Sequence, residues 1–313
     1  MLTNLFILLP HLASEAFRMK VGARCGYCLI HRGYLEILRS TDDEERRFEA
    51  VLQLLRLVGE EFNPDTVPSH LGSERDRLIR QTTGCHDPYA EMKRQANEKA
   101  LVILPQLEAL VGAQPPANRF RTACKVACVG NIIEYDVPDH SHDIDEALKH
   151  IEAEGLYVDD TDGFKELIRD GFEVLLLTDN AGEIAFDRLV VRELRRLGCR
   201  VTVAVKGGPS LNDALIEDAE AVGMVEEADR VMTTGTDAIG TNLAEVSEEF
   251  RGSFYAADAI VAKGMANWET LTEHPVPCPT LFLFRTKCEP VAVTVNAPLQ
   301  VNIAKLVPKG WRL

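Results

Sequence analysis

From Glu173 onward the chain repeats one pattern: a short apolar run, a polar turn, then a stretch at helical spacing. Glu173 to Leu177 reads EVLLL, Arg200 to Val205 RVTVAV and Ala259 to Ala262 AIVA. Thr280 to Phe284 reads TLFLF and Val291 to Val295 VAVTV. Continuous runs rich in leucine and β-branched residues predict strands buried on both faces. Ile184 to Leu197 carries the helical spacing after the first run, and a helix is expected from near Asn212. Strands alternating with helices imply a mainly parallel sheet covered on both sides.

The first half reads as helical. Asp42 to Phe62 places Phe48, Val51, Leu52, Leu54, Leu55 and Leu57 at helical spacing, with Glu and Arg opposite. Tyr89 to Val111 predicts a second helix, with Pro105 kinking or splitting it. A third is expected over about Arg119 to Gly130, and two short ones over His142 to Glu154 and Asp162 to Asp170. A helical N-terminal part therefore precedes an α/β C-terminal part.

Of 313 residues, 46% are hydrophobic, enough for a packed core and too many for a disordered chain. Asp and Glu number 49 against 34 Lys and Arg, a formal net charge of −15. That balance excludes a general affinity for nucleic acid or an anionic membrane surface, yet permits a local cationic pocket. No window approaches the ~18 apolar residues of a membrane-spanning helix. Leu5 to Leu9 is apolar, but Pro10 interrupts it and no Lys or Arg precedes it, unlike a secretory leader. A cytoplasmic protein with reduced thiols is expected, and eight scattered Cys agree.

In open α/β sheets, ligands bind beyond the carboxyl ends of the strands. Four such ends carry polar residues here. The first gives Thr178, Asp179, Asn180, Gly182 and Glu183; the second Lys206, Gly207, Gly208, Asn212 and Asp213. The third gives Lys263, Gly264 and Asn267; the fourth Arg285 and Lys287. Two carboxylates and an amide oxygen suit a hard divalent cation. Lysines beside glycine-opened backbone suit a phosphate. Each piece also has an ordinary reading: Asp179-Asn180 as a helix cap, Asp213 as a helix start, Lys263 as a solvated charge, Gly207-Gly208-Pro209 as a turn. Their recurrence at successive strand ends favours a site for phosphoryl chemistry. Neither G-x-G-x-x-G after the first strand nor G-x-x-x-x-G-K-[ST] occurs.

Residues 178–183 (TDNAGE), 211–219 (LNDALIEDA), 257–271 (ADAIVAKGMANWETL) and 285–288 (RTKC) resemble the damage-control phosphatase family, long filed as domain of unknown function 89. Upstream, the CxxC of Cys25 and Cys28, Asp87-Pro-Tyr with Lys93 and Asn97, and Asn131 with Glu134 agree. The likeness runs from about Met19 to near the C-terminus, and the CxxC resembles the stand-alone prokaryotic subgroup. The resemblance implies a mostly helical domain over residues 1–165, with 1–18 an extension outside the core. It implies a three-layer α/β/α domain with a mainly parallel sheet over 166–313. It also implies hydrolysis of small phosphorylated metabolites with a single divalent cation, Mn, Mg, Co or Ni. Position by position, Asp179, Asn180 and Asp213 fall on the family's metal ligands. Lys263, Gly264 and Asn267 match its KGxxN substrate loop, and Lys287 its phosphate-binding lysine. Asn131 and Glu183 match recurrent pocket positions. Two departures stand out. Arg285-Thr286-Lys287 is one residue shorter than the eukaryotic Arg-Thr-x-Lys pattern, which leaves Arg285 without a role. Ala181, two places after Asp179, breaks the Asp-x-Asp pattern of haloacid dehalogenases, so no aspartyl-phosphate mechanism is carried over.

On this reading Asp179, Glu183 and Lys263 are the catalytic residues. Glu183 orients or deprotonates the attacking water, while Lys263 and Lys287 neutralise phosphate oxygens. Metal-bound water is the favoured nucleophile, and direct attack by Asp179 stays open. The expected partner is a small phosphorylated metabolite, with no nucleic acid and no membrane; the oligomeric state stays open. Two other functions also stay open. An S-adenosylmethionine-dependent methyltransferase needs a glycine-rich loop after the first strand, where TDNAGE has one glycine. A non-enzymatic metal- or thiol-bearing adaptor would use the CxxC. Cys25 and Cys28 fit packed thiols, a redox pair, or half of a metal site completed by Cys85-His86 or Cys288. Cys124 and Cys128, at i and i+4, are expected to be buried. His86, His140, His142 and His274 read as surface or structural.

Overall fold

A computed structural model describes residues 19–129 and 153–313. The expected extension 1–18, Asn131, Glu134, His140, His142 and most of the helix expected over 142–154 lie outside them.

Three N-terminal helices, α1 (Ala23–Ser40), α2 (Glu44–Glu61) and α3 (Pro68–Thr83), share a small core of Leu29, Ile37, Ala50, Leu54, Val58, Leu71 and Ile79. The Asp43 carboxylate caps α2, accepting from the amides of Glu45 at 3.0 Å and Arg46 at 3.3 Å. Two more helices, α4 (Ala90–Gly112) and α5 (Pro116–Val129), lie against the sheet instead.

Among the described residues the sheet has seven strands: β1 (Leu156–Asp159), β2 (Glu173–Leu177), β3 (Arg200–Val205), β4 (Arg230–Thr233), β5 (Ala259–Lys263), β6 (Thr280–Arg285) and β7 (Asn302–Val307). Their order is β1-β7-β6-β5-β2-β3-β4, and of these pairings β6–β7 alone is antiparallel. Every residue of β5 and β6 is buried, which is why both read as unbroken apolar runs. After β1 and the short α6 (Thr161–Leu167), the chain runs outward from β2 through β3 to β4. It then returns to β5 on the other side of β2. This reversal opens a crevice at the carboxyl ends of β2 and β5.

One face buries Leu176, Val203, Val261 and Leu283 under α4, α5 and α7 (Glu183–Arg196). The connection from β3 to β4 carries two short helices, α8 (Ile216–Ala221) and α9 (Met224–Glu227). The opposite face buries Leu175, Ala262, Phe282 and Phe284 under α10 (Glu248–Ala256) and α11 (Met265–Leu271). Trp268 anchors α11: its ring meets Phe282 edge-on at 4.9 Å, and its Nε1 donates to Thr294 at 2.9 Å. The result is a helical region followed by an α/β region with a mostly parallel sheet. Among the described residues no helix is long and apolar enough to cross a membrane.

Four local readings change. Helix α4 runs unbroken through Pro105; the carbonyl that proline leaves unpaired belongs to exposed Leu101, where water can serve it. VAVTV is not a strand but most of α12 (Glu289–Thr294). Pro290 suits the first turn of a helix, and Val291 is buried while Val293 is exposed. The helix expected near Asn212 begins at Ile216, because residues 212–214 pair with another loop instead. Helices α1 and α3 and strands β1, β4 and β7 were not expected at all.

Candidate active site

Beyond β2, Thr178 to Gly182 lead into α7; beyond β3, residues 206–215 return alongside them. Backbone bonds stitch the two loops together. The amide of Ala181 donates to Asn212 and that of Ala214 to Asp179, both at 2.9 Å, and Asn180 bridges to Asp213. Asp179, Asn180 and Asp213 are thereby assembled at one place. None of them serves the ordinary purpose open to it. Gly182, at φ +79°, caps α7, and no side chain takes part; Asp213 precedes α8 by a loop.

Hydrogen bonds orient the trio. Asn180 Nδ2 donates to Glu183 Oε1 at 2.7 Å and to Asp179 Oδ2 at 3.3 Å. Both amide hydrogens are committed, which leaves Asn180 Oδ1 as the ligand-capable atom. Lys206 Nζ stands 3.4 Å from Asp213 Oδ2 and donates to the carbonyls of Ala238, at 2.7 Å, and Gly240. Burial pushes the Asp179 carboxyl well up, and the charges of Glu183 and Asp213 add to it; Lys263 and Lys287 oppose. Burial raises Asp213 as well, against Lys206.

Lys263 is 1% exposed and turns inward. Its Nζ lies 2.8 Å from Asp187 Oδ1 and 3.6 Å from Glu183 Oε2. Four carboxylates (Asp179, Glu183, Asp187, Asp213) thus face two buried ammonium groups, Lys206 and Lys263. Gly264, at φ +83°, lies against Asp179, and a β-carbon there would overlap its carboxylate. Asn267 is a brace. Its Nδ2 donates to the carbonyls of Lys263 at 2.7 Å and Thr178 at 3.1 Å, tying β5 to β2, and its Oδ1 accepts from Thr241. Lys287 follows β6 at the same edge, within electrostatic reach of Asp179.

The helical region reaches in as well. Asn97 of α4 accepts from the Gly182 amide and donates to Asp218, both at 2.7 Å. Lys93 pairs with Asp87 at 2.7 Å and lies 3.8 Å from Asp218. Gly182 has α4 directly over it, with Ala96 3.1 Å from where a β-carbon would stand.

A family model described as the damage-control phosphatase ARMT1-like domain matches residues 21–302. The chain belongs to that family. A damage-control phosphatase of Archaeoglobus fulgidus is 38% identical over 92% of this chain and 100% of its own length. One from Pyrococcus horikoshii is 31% identical over 90% of this chain and 96% of its own. The crystal structure of a P. horikoshii protein of the same family superposes with a TM-score of 0.83 at 29% identity, covering 94% of this chain and 100% of that one.

Within this member of the ARMT1-like family, some residues sit away from the crevice. Arg285 is buried and forks onto Glu154, and also meets Gln300 at 3.2 Å and Asn302 at 3.1 Å. Asn131 is outside the described residues. Among the described residues no three His, Cys, Asp or Glu side chains form a ready-made metal cage, and the third member of the trio is the Asn180 amide. All eight cysteines are free. Cys124 and Cys128 are buried as expected. The charge neighbourhood of Cys288 includes Cys25 and Cys28, whereas that of Cys85 includes Asp87 and Glu36. Burial raises both the Cys25 and Cys288 thiols. The residue that sequence reasoning missed is Asp187. Its signal was an aspartate inside the apolar stretch IAFDRLVV, four places after Glu183 and so on the same helical face.

Proposed function

We propose that this chain is a phosphomonoester hydrolase for small phosphorylated metabolites, using one hard divalent cation held by Asp179, Asn180 Oδ1 and Asp213. The observation that carries this is the commitment of both Asn180 amide hydrogens to Glu183 and Asp179. It aims an oxygen, not a nitrogen, where the two carboxylates meet. The donor chemistry fits Mg, Mn, Co or Ni, all of which accept oxygen ligands. The charge fits too: the four carboxylates of the site exceed Lys206 and Lys263 by two, the charge of one such cation. Family membership and the names of the archaeal relatives support the same chemistry.

Held by Asp179, Asn180 and Asp213, a divalent cation would supply Lewis-acid polarisation of a phosphate oxygen and activation of water. The chain supplies the rest. Lys287 brings positive charge to the crevice mouth, where a phosphate dianion needs it. Glu183, with one oxygen on Asn180 and the other toward Lys263, keeps the Asn180 amide in register. Glu183 can also receive a proton from attacking water, at the cost of loosening that register. Gly264 and Asn267 keep Asp179 and Lys263 in fixed relation. The methyltransferase alternative loses support, because α4 packs on the one glycine of the first loop and takes its amide.

A screen of phosphorylated metabolites against Mg, Mn, Co and Ni tests the proposal. Phosphate release that appears with added metal and stops with a chelator is the expected result. No release with any metal, or release indifferent to chelation, overturns it.

A further inference from the structure

We propose that Asp187 is a positioning residue for the metal site: through Lys263 it fixes Glu183, and through Glu183 the amide of Asn180. The inference rests on the function proposed above. Asp187 is fully buried in the middle of α7, one turn beyond Glu183. A carboxylate so placed is strongly disfavoured without a partner, and its partner is the ammonium of Lys263 at 2.8 Å. Lys263 arrives from the end of β5, next to the glycine that abuts Asp179. One cation is therefore shared between two carboxylates of one helix face, held close by Asp187 and more loosely by Glu183 at 3.6 Å.

The unequal sharing gives the arrangement its consequence. Asp187 holds Lys263 back, so Glu183 keeps an oxygen for Asn180 at 2.7 Å. With Asp187 replaced by a neutral amide, Glu183 becomes the paired carboxylate of that ammonium. Lys263 then moves onto Glu183 Oε2 and draws the carboxylate away from the Asn180 amide on Oε1. Asn180 is freed to rotate, and its oxygen no longer points consistently toward Asp179 and Asp213. Groups that orient metal ligands in this way typically change metal affinity or activity by roughly 10–100-fold when altered.

Calorimetric titration with Mn2+, beside steady-state phosphate release, tests the proposal on the full chain. Asp187→Asn is expected to raise the Mn2+ dissociation constant by about 10–100-fold. The KM for the phosphate ester should stay near the wild-type value, and kcat should recover at saturating metal. A role confined to packing would lower the apo melting temperature and leave the Mn2+ constant alone. In a Lys263→Met background, adding Asp187→Asn is expected to cause no further loss of Mn2+ affinity, because the connection already lacks its middle. An unchanged constant in Asp187→Asn, or losses that add in the double variant, overturns the inference while leaving the metal reading intact. Wild-type protein that binds no divalent cation overturns both. Should Asp187→Asn fail to fold, the double variant, which buries neither charge of the pair, is compared with wild type, and a wild-type Mn2+ constant in it overturns the inference.

Discussion

Gly264 lies against the carboxylate of Asp179 with no room between them for a β-carbon. Its φ of +83° also favours glycine. Gly264→Ala is expected to push Asp179 out of the trio and to strain the backbone by about 1–3 kcal/mol. Melting curves with and without Mn2+ check this: the apo melting temperature should fall and the metal-induced rise should vanish. A full metal-induced rise would contradict it.

Asp179→Ala and Asp213→Ala each remove one of several like charges crowded in a buried site. The apo protein should therefore melt no lower than wild type. Metal-dependent phosphate release should disappear, and so should most of the stabilisation that added Mn2+ gives. Ordinary turnover in either variant would place the site elsewhere.

Lys→Met at 287 and at 263 should separate two roles that look alike in the sequence. Lys287→Met is expected to lower kcat/KM by roughly 10²–10³, the scale for losing one preorganised donor to developing charge. Its Mn2+ affinity should hold. Lys263→Met should instead weaken Mn2+ binding, since its ammonium serves Asp187 and Glu183 rather than a ligand. Identical behaviour of the two variants would refute the distinction.

Glu36 of α1 gives a pH dependence remote from the crevice in sequence. It is buried against Asp76, which pairs with Arg75 at 2.6 Å. Burial, with the charge of Asp76, pushes the Glu36 carboxyl up to about 9. The folded chain keeps this proton up to that pH, whereas the unfolded chain releases it near the ordinary glutamate value. Between those two values the native state binds more protons, so stability falls as pH rises through the window. Urea midpoints from pH 5 to 9 should fall less steeply in Glu36→Gln than in wild type. Equal slopes would show that Glu36 is ionised in the native state.

The sheet centre was legible because β2, β5 and β6 are almost wholly buried and β3 mostly so, which leaves them dominated by apolar residues. Other strands leave weaker traces: β4 is four residues long at the sheet edge, and β7 mixes Lys305 into its run. VAVTV deceived because a five-residue run rich in β-branched side chains carries no period that separates strand from helix. Asp179, Asn180 and Asp213 were legible as polar residues at strand ends, and the structure gathers them. What sequence spacing could not supply was direction. Lys263 and Lys287 both follow apolar strands, yet one ammonium points into the protein between two acids while the other lies toward the crevice. Arg285 likewise ends a strand but spends its guanidinium on Glu154.

Asn97 holds the Gly182 amide on one side and Asp218 on the other, so a single amide of α4 ties the loop that carries Asp179 and Asn180 to the helix α8 that follows the Asp213 loop. A fragment of residues 153–313 would retain all seven strands yet lose this tie. Recombination that grafts the sheet onto a foreign helical partner would preserve the chemistry only where the donor brings an equivalent amide to that spot. The heritable unit of this site is thus larger than the sheet that displays it: a helix read early in translation and two loops read later must descend together.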